Sequence, residues 1–310
     1  EMGVELLCST DDPTSSLEYH DHAAEEIEDV SVLPTWRADR ALRPGTDDWN
    51  VFRAELAEAT GVSCEDLAGF REALRASHDH FAKRGCVASD IGIRMPVSRP
   101  VDDDRARECY AAAIGDETLD EEAATDLQAY LLEYVGELNA EKGWTTQFHV
   151  GPVRNYRESV HEELGPASGA DISTQDVDIE GSLEYFLNRF DGEFQTVIYA
   201  LDPTHYPTVA TLARVFPSVN VGPAWWFNDS PFGIEDHLEY VGTVSLLANS
   251  PGMVSDSRKL LSYGSRFEMF RRSLANVLGR QVSRGQVPME VASEVASEVA
   301  YDRPREVYGF

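Results

Sequence analysis

Two hydrophobic periods alternate along this chain. Short apolar segments with the β-branched character of buried strands end in polar or turn-forming residues, and helix-period patterns separate them. The strand-like segments are residues 4–10, 30–36, 145–150, 194–201, 219–227 and 252–255. The helical patterns cover residues 17–28, 49–60, 64–84, 121–141, 183–188, 209–216, 234–247 and 266–278. This alternation predicts an α/β protein built on a parallel sheet or barrel.

A long section between residues 36 and 145 interrupts the alternation. Because its pattern is mostly helical, we expect residues 43–143 to form an insertion beside the barrel, within one partial barrel domain spanning residues 1–310. Six strands close poorly into a parallel barrel, since the common solution uses eight. The sheet is therefore expected to be open or to lack strands. Residues 290–300 repeat a four-residue unit that predicts a short surface helix.

Charge excludes several classes of partner. The net charge is -29, with 55 acidic residues and only three lysines (Lys83, Lys142 and Lys259). Such a chain repels nucleic acid and anionic membranes. A lysine-poor acidic surface indicates adaptation to high salt, where self-repulsion is screened. The alternative is an acidic surface without particular meaning.

The start of the chain and its cysteines bear on location. The sequence EMGVELLC at residues 1–8 lacks a basic region and a long apolar run, so we expect no secretory signal and a cytoplasmic protein. Cys8, Cys64, Cys86 and Cys109 form no CxxC pair, which favours reduced and mostly buried thiols. No apolar run is long enough to span a membrane.

The segment PGMVSDSR, residues 251–258, carries the sharpest chemical signal. Its apolar half reads as a strand that delivers Asp256 and Arg258 at its carboxyl-terminal tip, where barrel enzymes keep their catalytic groups. On a strand, these two side chains would point the same way. A carboxylate beside a guanidinium suits proton transfer or metal binding next to anion recognition. The alternative is a buried ion pair, which desolvation disfavours.

Polar residues follow the first two strands as well. Asp11 or Asp12 would sit at the tip of the first strand, or cap the helix expected to start near Thr14. Arg37 lies just beyond the second strand, where its planar guanidinium could clamp a substrate carboxylate. A structural salt bridge to Asp39 is the competing interpretation.

Histidines and tryptophans supply further candidates. His149 lies near a strand end, and Arg154 and Asn155 follow in the same loop. His149 is therefore either part of a functional site or a buried core histidine. Adjacent Trp225 and Trp226 must face apart on a strand, so one fits the core and the other a pocket wall. The HxH pair at residues 20 and 22 imitates a metal motif, but it falls in a helical segment where i and i+2 side chains diverge.

Seven collinear motifs together resemble the uronate isomerase family, also called glucuronate isomerase. They are TDDP (10–13), LPTWRADRAL (33–42), QFHVG with RN (147–155), TVIYALDP (196–203), WWFND (225–229), GMVSDSRKLLSY (252–263) and FRR (270–272). The resemblance implies a distorted (β/α)8 TIM-type barrel of the amidohydrolase superfamily, with about six of its eight strands in this chain. It also implies interconversion of glucuronate with fructuronate and of galacturonate with tagaturonate.

Residue roles follow from the same resemblance. Asp256 matches a metal-binding aspartate after the last strand that also assists ring opening, and His149 matches a histidine near the metal. Arg37 and Arg258 match arginines that hold the substrate, and Trp225 with Trp226 matches an aromatic wall; Arg154 is a further candidate contact. The implied cofactor is a divalent metal, with zinc as the expected ion. The expected partner is a small hexuronate; homo-oligomerisation stays open.

The chain also departs from the family pattern. The family carries upstream an HTHLD-like motif with two metal-binding histidines, which this sequence lacks, so we expect a fragment of a longer product or a truncated relative. The family commonly has SDH where this chain has residues 89–91, and RHE where it has residues 266–268. Two alternatives remain at this point: another metal-dependent amidohydrolase-type enzyme, and a non-catalytic remnant.

Overall fold

Buried strands and amphipathic helices alternate along most of the chain. The computed structural model describes residues 3–115, 118–166, 168–223 and 225–310. The strands are β1 (Leu6–Asp11), β2 (Ser31–Arg37), β3 (Ala88–Ile91), β4 (Thr145–Val150), β5 (Pro152–Val153), β6 (Ile172–Ser173), β7 (Thr196–Ala200) and β8 (Val219–Val221). The helices are α1 (Glu18–Glu26), α2 (Asp47–Thr60), α3 (Leu67–Ala82), α4 (Asp103–Ala113), α5 (Glu121–Lys142), α6 (Glu158–Leu164), α7 (Ile179–Arg189), α8 (Tyr206–Val215), α9 (Pro231–Val244), α10 (Leu260–Ser283), α11 (Met289–Ser297) and α12 (Arg303–Tyr308).

The chain divides into two units. Unit 1 comprises Glu1–Gly92, Pro96–Thr146 and Glu180–Phe194, and unit 2 comprises Ile93–Met95, Gln147–Ile179 and Gln195–Phe310. The domain limits, insertion range and strand expected at residues 219–227 include some of residues 1, 2, 116, 117, 167 and 224, which lie outside the described part. None of the helices in that part is long and apolar enough to cross a membrane.

Unit 1 carries strands β1 to β3 and the first two residues of β4. The β1–β2 and β2–β3 pairs are parallel, and the second pair sets Arg37 opposite Asp90. The amide of Thr145, at the start of β4, donates to the carbonyl of Val87 at 3.0 Å. Parallel pairing brings the carboxyl ends of β2 and β3 to one edge, which is where Arg37 and Asp90 lie.

The helices of unit 1 begin at capping residues that the sequence supplies. Side chains of Thr46, Asp66, Asp102 and Asp120 accept hydrogen bonds from the first-turn amides of α2, α3, α4 and α5. Behind them, the Trp49 ring lies with its centroid 5.5 Å from that of Phe70 on α3. These contacts bury the apolar helix faces in a core of their own.

Unit 2 carries the rest of β4, then β7 and β8. Strands β7 and β8 are parallel, and the amide of Leu201 donates to the carbonyl of Val150 at the end of β4 at 3.0 Å. One core cluster contains Val197, Tyr199, Leu201, Trp225 and Val307. A second joins α9, α10 and α11 through residues that include Leu238, Phe270, Leu274 and Ala292.

The structure corrects the strands predicted at residues 252–255 and 219–227, and it contains elements that were not predicted. Residues 252–255 form no strand, because Gly252 (φ 76°) and Asp256 (φ 43°) are in the left-handed region, where extended pairing is broken. Conversely, β3 was not predicted, because its sequence ASDI is half polar although all four residues are buried. The predicted strand at residues 219–227 stops at Val221, and helices α4 and α6 were also not predicted.

Candidate functional site

His149 is held between aromatic rings in unit 2. On β4 its side chain alternates with the fully buried Phe148. The imidazole lies parallel to the ring of Tyr199 on β7, with centroids 4.8 Å apart and an interplanar angle of 9°. The indole of Trp225 meets it edge to face at 4.2 Å. These contacts fix the plane of the imidazole near the carboxyl end of β4.

The two tryptophans separate in burial, and the pocket-wall role of one of them stays a prediction. Trp225 is buried in the core cluster around Tyr199, whereas Trp226 is only partly buried. Trp226 adopts a left-handed conformation (φ 62°) and opens the short 3-10 turn Trp226–Asn228. The side-chain Nδ2 of Asn228 donates to the backbone carbonyl of Leu201 at 2.7 Å, which ties this turn to the end of β7. The separation therefore comes from a turn and not from strand pleating.

Arg154 and Trp226 are brought together. The guanidinium carbon of Arg154 lies 4.7 Å from the centroid of a Trp226 ring, in cation–π geometry. Its Nη1 is 3.1 Å from Oδ2 of Asp171, whose side chain is only 3% exposed. The other oxygen of Asp171 accepts from the amide of Asn155 at 2.6 Å. Asp171 was not predicted, since nothing in the local sequence links it to Arg154.

Asp256 and Arg258 lie in the irregular segment between α9 and α10. Both side chains are exposed. Because Asp256 is left-handed and no strand forms, the alternation argument that aimed both side chains one way does not hold. Asp256 instead projects from a turn, as residues of this type do more readily than most.

Arg266, on α10, ties this turn to the loop after β8. Its guanidinium donates to the backbone carbonyl of Ser255, the residue before Asp256. The same Nη1 lies 3.2 Å from Oδ2 of Asp229, whose side chain is 7% exposed. Burial raises the pKa of Asp229, the Arg266 guanidinium opposes that rise, and the charge of Asp256 adds to it. Arg266 thus holds the segment that carries Asp256 against the loop after β8.

Arg37 lies in unit 1 between two carboxylates. Its Nε donates to Oδ2 of Asp39 at 2.8 Å, and its Nη1 is 3.4 Å from Oδ2 of Asp90. The salt bridge to Asp39 that competed with substrate binding in the sequence is thus formed. Asp90, which matches the aspartate of the family's SDH and precedes the departing Ile91, is the second partner.

The polar residues at the end of the first strand and on α1 form local hydrogen bonds and an ion pair. Asp12 accepts from the backbone amide and hydroxyl of Thr14, at 3.0 and 2.7 Å, so it closes a turn. His20 and His22 lie on α1 as expected; His20 is buried, with Nε2 3.0 Å from Oδ2 of Asp11, and His22 is exposed. Cys8, Cys64, Cys86 and Cys109 are free thiols, and Cys8 is exposed.

Metal ligands do not converge within the described residues. No group of three or more histidine, cysteine, aspartate or glutamate side chains could hold an ion there. Protein zinc sites use three or four protein ligands. Asp256 and His149 therefore do not make such a site on their own, and the described residues supply at most part of the ligand set.

Comparisons with known proteins agree on one family. The family model described as glucuronate isomerase matches residues 1–308. A crystal structure of uronate isomerase from Thermotoga maritima has a TM-score of 0.97 at 49% identity and covers 99% of this chain and 68% of that one. A uronate isomerase of Bacteroides thetaiotaomicron is 32% identical over 99% of this chain and 68% of its own length.

A second solved structure extends the likeness. Glucuronate isomerase from Caulobacter crescentus has a TM-score of 0.92 at 26% identity, covering 98% of this chain and 64% of that chain. The parallel strands are thus those of the TIM-like amidohydrolase barrel that the resemblance implies, and the chain spans about two thirds of the length of these relatives. The chain belongs to the glucuronate isomerase family, a family of hexuronate isomerases.

Proposed function

We propose that this chain supplies most of the active site of an enzyme that interconverts glucuronate with fructuronate and galacturonate with tagaturonate. The family match over residues 1–308 carries this proposal. Within unit 2, the side chains near the carboxyl end of β4 and in the loop after β8 support it, because they combine carboxylates and guanidinium groups with aromatic rings. That mixture suits a polar, anionic sugar.

Aldose–ketose isomerisation moves a proton between C2 and C1 of the open-chain sugar through an enediol. It needs a base near C2 and a donor for the developing oxyanion. Asp256 is the proposed acid–base group, since its carboxylate projects from a turn that Arg266 fastens. Arg258 follows two residues later as the proposed contact for negative charge on the substrate.

The remaining proposed contacts hold and orient the sugar. Arg154, stacked on Trp226 and anchored by Asp171, offers hydrogen-bond donors beside an aromatic face. His149 is proposed as a catalytic residue, and its contacts with Tyr199 and Trp225 fix the plane of its imidazole ring. Arg37 is the proposed substrate arginine of unit 1.

A divalent metal, with zinc as the proposed ion, would polarise the substrate when bound. Asp256 and His149 are the proposed ligands from this chain. Since the described residues supply no three-ligand group, the remaining ligands must come from elsewhere, and the steps above are assigned to protein groups alone.

We further propose adaptation to high salt and a cytoplasmic location. The charge of -29 with only three lysines supports the first proposal. Four free thiols support the second, because disulfides are rare in reducing compartments.

The test is an isomerase assay at molar salt, with zinc present, using the protein with and without the sequence encoded upstream. Ketose formation from glucuronate or galacturonate is the expected result. A folded protein that converts neither sugar in either form would overturn the proposal and favour the non-catalytic remnant.

A further inference from the structure

We infer that Asp39 and Gly92 are positioning residues that fix the guanidinium of Arg37 for substrate binding. The inference rests on the proposed function, because Arg37 holds the sugar only in that proposal. Asp90 supplies a second anchor. All of these residues belong to unit 1 and lie at the carboxyl ends of β2 and β3.

Asp39 joins the two strand ends through a single carboxylate. Oδ2 accepts from Nε of Arg37 at 2.8 Å, while Oδ1 accepts from the backbone amide of Gly92 at 2.5 Å. The side chain of Asp39 is only 12% exposed. A carboxylate held at both oxygens has little freedom, so it sets the position of Nε relative to the backbone after β3.

The guanidinium of Arg37 lies against the backbone of Gly92. A Cβ at this position would lie 2.1 Å from Nη2 of Arg37 and 3.2 Å from its Cζ. Side-chain atoms cannot approach so closely, so any other residue would displace the guanidinium. The effect of a side chain at residue 92 on the guanidinium is therefore steric, and it is independent of the charge on Asp39.

Asp90 fixes the other side of the same group. Its Oδ2 lies 3.4 Å from Nη1 of Arg37, and its side chain is 4% exposed. Two carboxylates thus contact the same guanidinium. These contacts fix the orientation of the guanidinium on a side chain that is 32% exposed, and orientation is what a binding group needs.

The two key substitutions remove different features. Asp39→Asn removes the charge and one of the two acceptors, whereas Gly92→Ala keeps every charge and adds one methyl group. Both should lower kcat/KM for the hexuronate by about 10–100-fold, since misplacing a binding group by about 1 Å costs that much. Matched controls are Asp126→Asn, at a carboxylate 13% exposed between Arg99 and Arg105, and Gly279→Ala, where a Cβ meets nothing within 4 Å. Neither control should change kcat/KM appreciably.

A double-mutant cycle asks whether Asp39 acts through Arg37. In an Arg37→Gln background, the addition of Asp39→Asn or Gly92→Ala should produce no further loss of kcat/KM. Additive losses would overturn the inference, because they would show that these residues affect catalysis by another route. Urea unfolding of each variant identifies any loss that merely reflects a less stable protein.

A measurement without substrate separates this inference from the proposed function. The ¹⁵N-bound Nε–H of Arg37, assigned by its absence in Arg37→Gln, should give a distinct and slowly exchanging NMR signal that is lost in Asp39→Asn and Gly92→Ala. An unchanged signal in both variants would overturn the inference that Asp39 and Gly92 position the Arg37 guanidinium, even if the enzyme is active. A protein without isomerase activity but with this pattern would refute the proposed function alone.

Discussion

Arg266 and Asp229 form a largely buried ion pair whose Nη1–Oδ2 distance is 3.2 Å, and the same guanidinium donates to the carbonyl of Ser255. The pair therefore connects α10, the loop after β8 and the turn that carries Asp256. Oδ1 of Asp229 has no hydrogen-bond partner among the residues that the structure describes. Arg266 is thus the principal compensation for a carboxylate with a 7% exposed side chain.

Arg266→Ala is expected to destabilise the protein by roughly 1–3 kcal/mol, because a buried charge loses its partner. Urea unfolding at constant salt measures the change without altering ionic strength. Arg271→Ala, which removes the exposed pair with Glu268 at 3.1 Å, should cost less than about 1 kcal/mol. Equal losses in the two variants would contradict the assignment of Arg266 as the brace of this turn.

Asp256→Asn is expected to lower kcat for hexuronate isomerisation by about 100–10,000-fold, the usual contribution of an acid–base group. Asparagine tolerates the left-handed conformation that Asp256 adopts at φ 43°, so the urea midpoint should not move. Activity is measured as ketose formation at molar salt. A fully active Asp256→Asn enzyme would remove Asp256 from the chemistry.

His78 should make stability fall in mild acid. Its ring lies against that of Trp144 with centroids 3.7 Å apart and an interplanar angle of 31°, and burial lowers its pKa from 6.5 to about 4. Asn139 uses its amide nitrogen on Ser89 and Thr146, so its Oδ1 accepts from Nε2 of His78 at 3.2 Å. The folded protein therefore favours neutral His78.

The sign follows from proton binding. Between pH 6.5 and about 4 the unfolded chain gains a proton on residue 78 that the folded chain resists, so the contribution is complete above 6.5 and lost as the pH falls toward 4. Over this pH range, His78 should lower the free energy of unfolding by roughly 3 kcal/mol. His78→Gln, which keeps a donor toward Asn139, should flatten this part of a pH series of urea unfolding. Parallel curves for the two proteins would refute the assignment.

Salt dependence provides the fourth prediction. With a net charge of -29, transfer from molar to about 0.1 M potassium chloride lengthens the screening distance to about 10 Å and should lower the thermal midpoint. Sodium chloride should restore the midpoint as well as potassium chloride does, whereas sucrose at equal osmolarity should not restore it as fully. A midpoint independent of salt would leave the acidic surface without adaptive meaning.

Hydrophobic periodicity predicted the long elements well because burial of one face dictates them. The helix expected at residues 121–141 is Glu121–Lys142, and the strand at residues 145–150 has the predicted limits. The same logic missed β3, where Ser89 and Asp90 are buried by hydrogen bonding to Asn139 and ion pairing with Arg37. It also predicted a strand at residues 252–255, because the hydrophobic pattern does not reveal which residues adopt left-handed backbone conformations.

The candidate site was predictable as individual residues but not as an arrangement. Residue type and position after a strand identified Arg37, His149 and Arg154. Asp39 was found because it is two residues from Arg37, but the other anchoring residues are distant in sequence: Gly92 is 53 residues from Asp39, and Asp171 is 17 from Arg154. Such pairings arise only in the folded chain, so Gly92 and Asp171 were not found.

Tyr199 of β7 and Tyr308 of α12 share a hydrogen bond of 3.1 Å, and Tyr308 donates to Gln147 of β4 at 2.8 Å. The two tyrosines are 109 residues apart in sequence. During synthesis, this contact must wait about 5–20 s after Tyr199 is made, at ordinary elongation rates. The packing that Val307 and Tyr308 contribute to the core around Tyr199 and Trp225 is therefore added last, after the strands of that core have been synthesised.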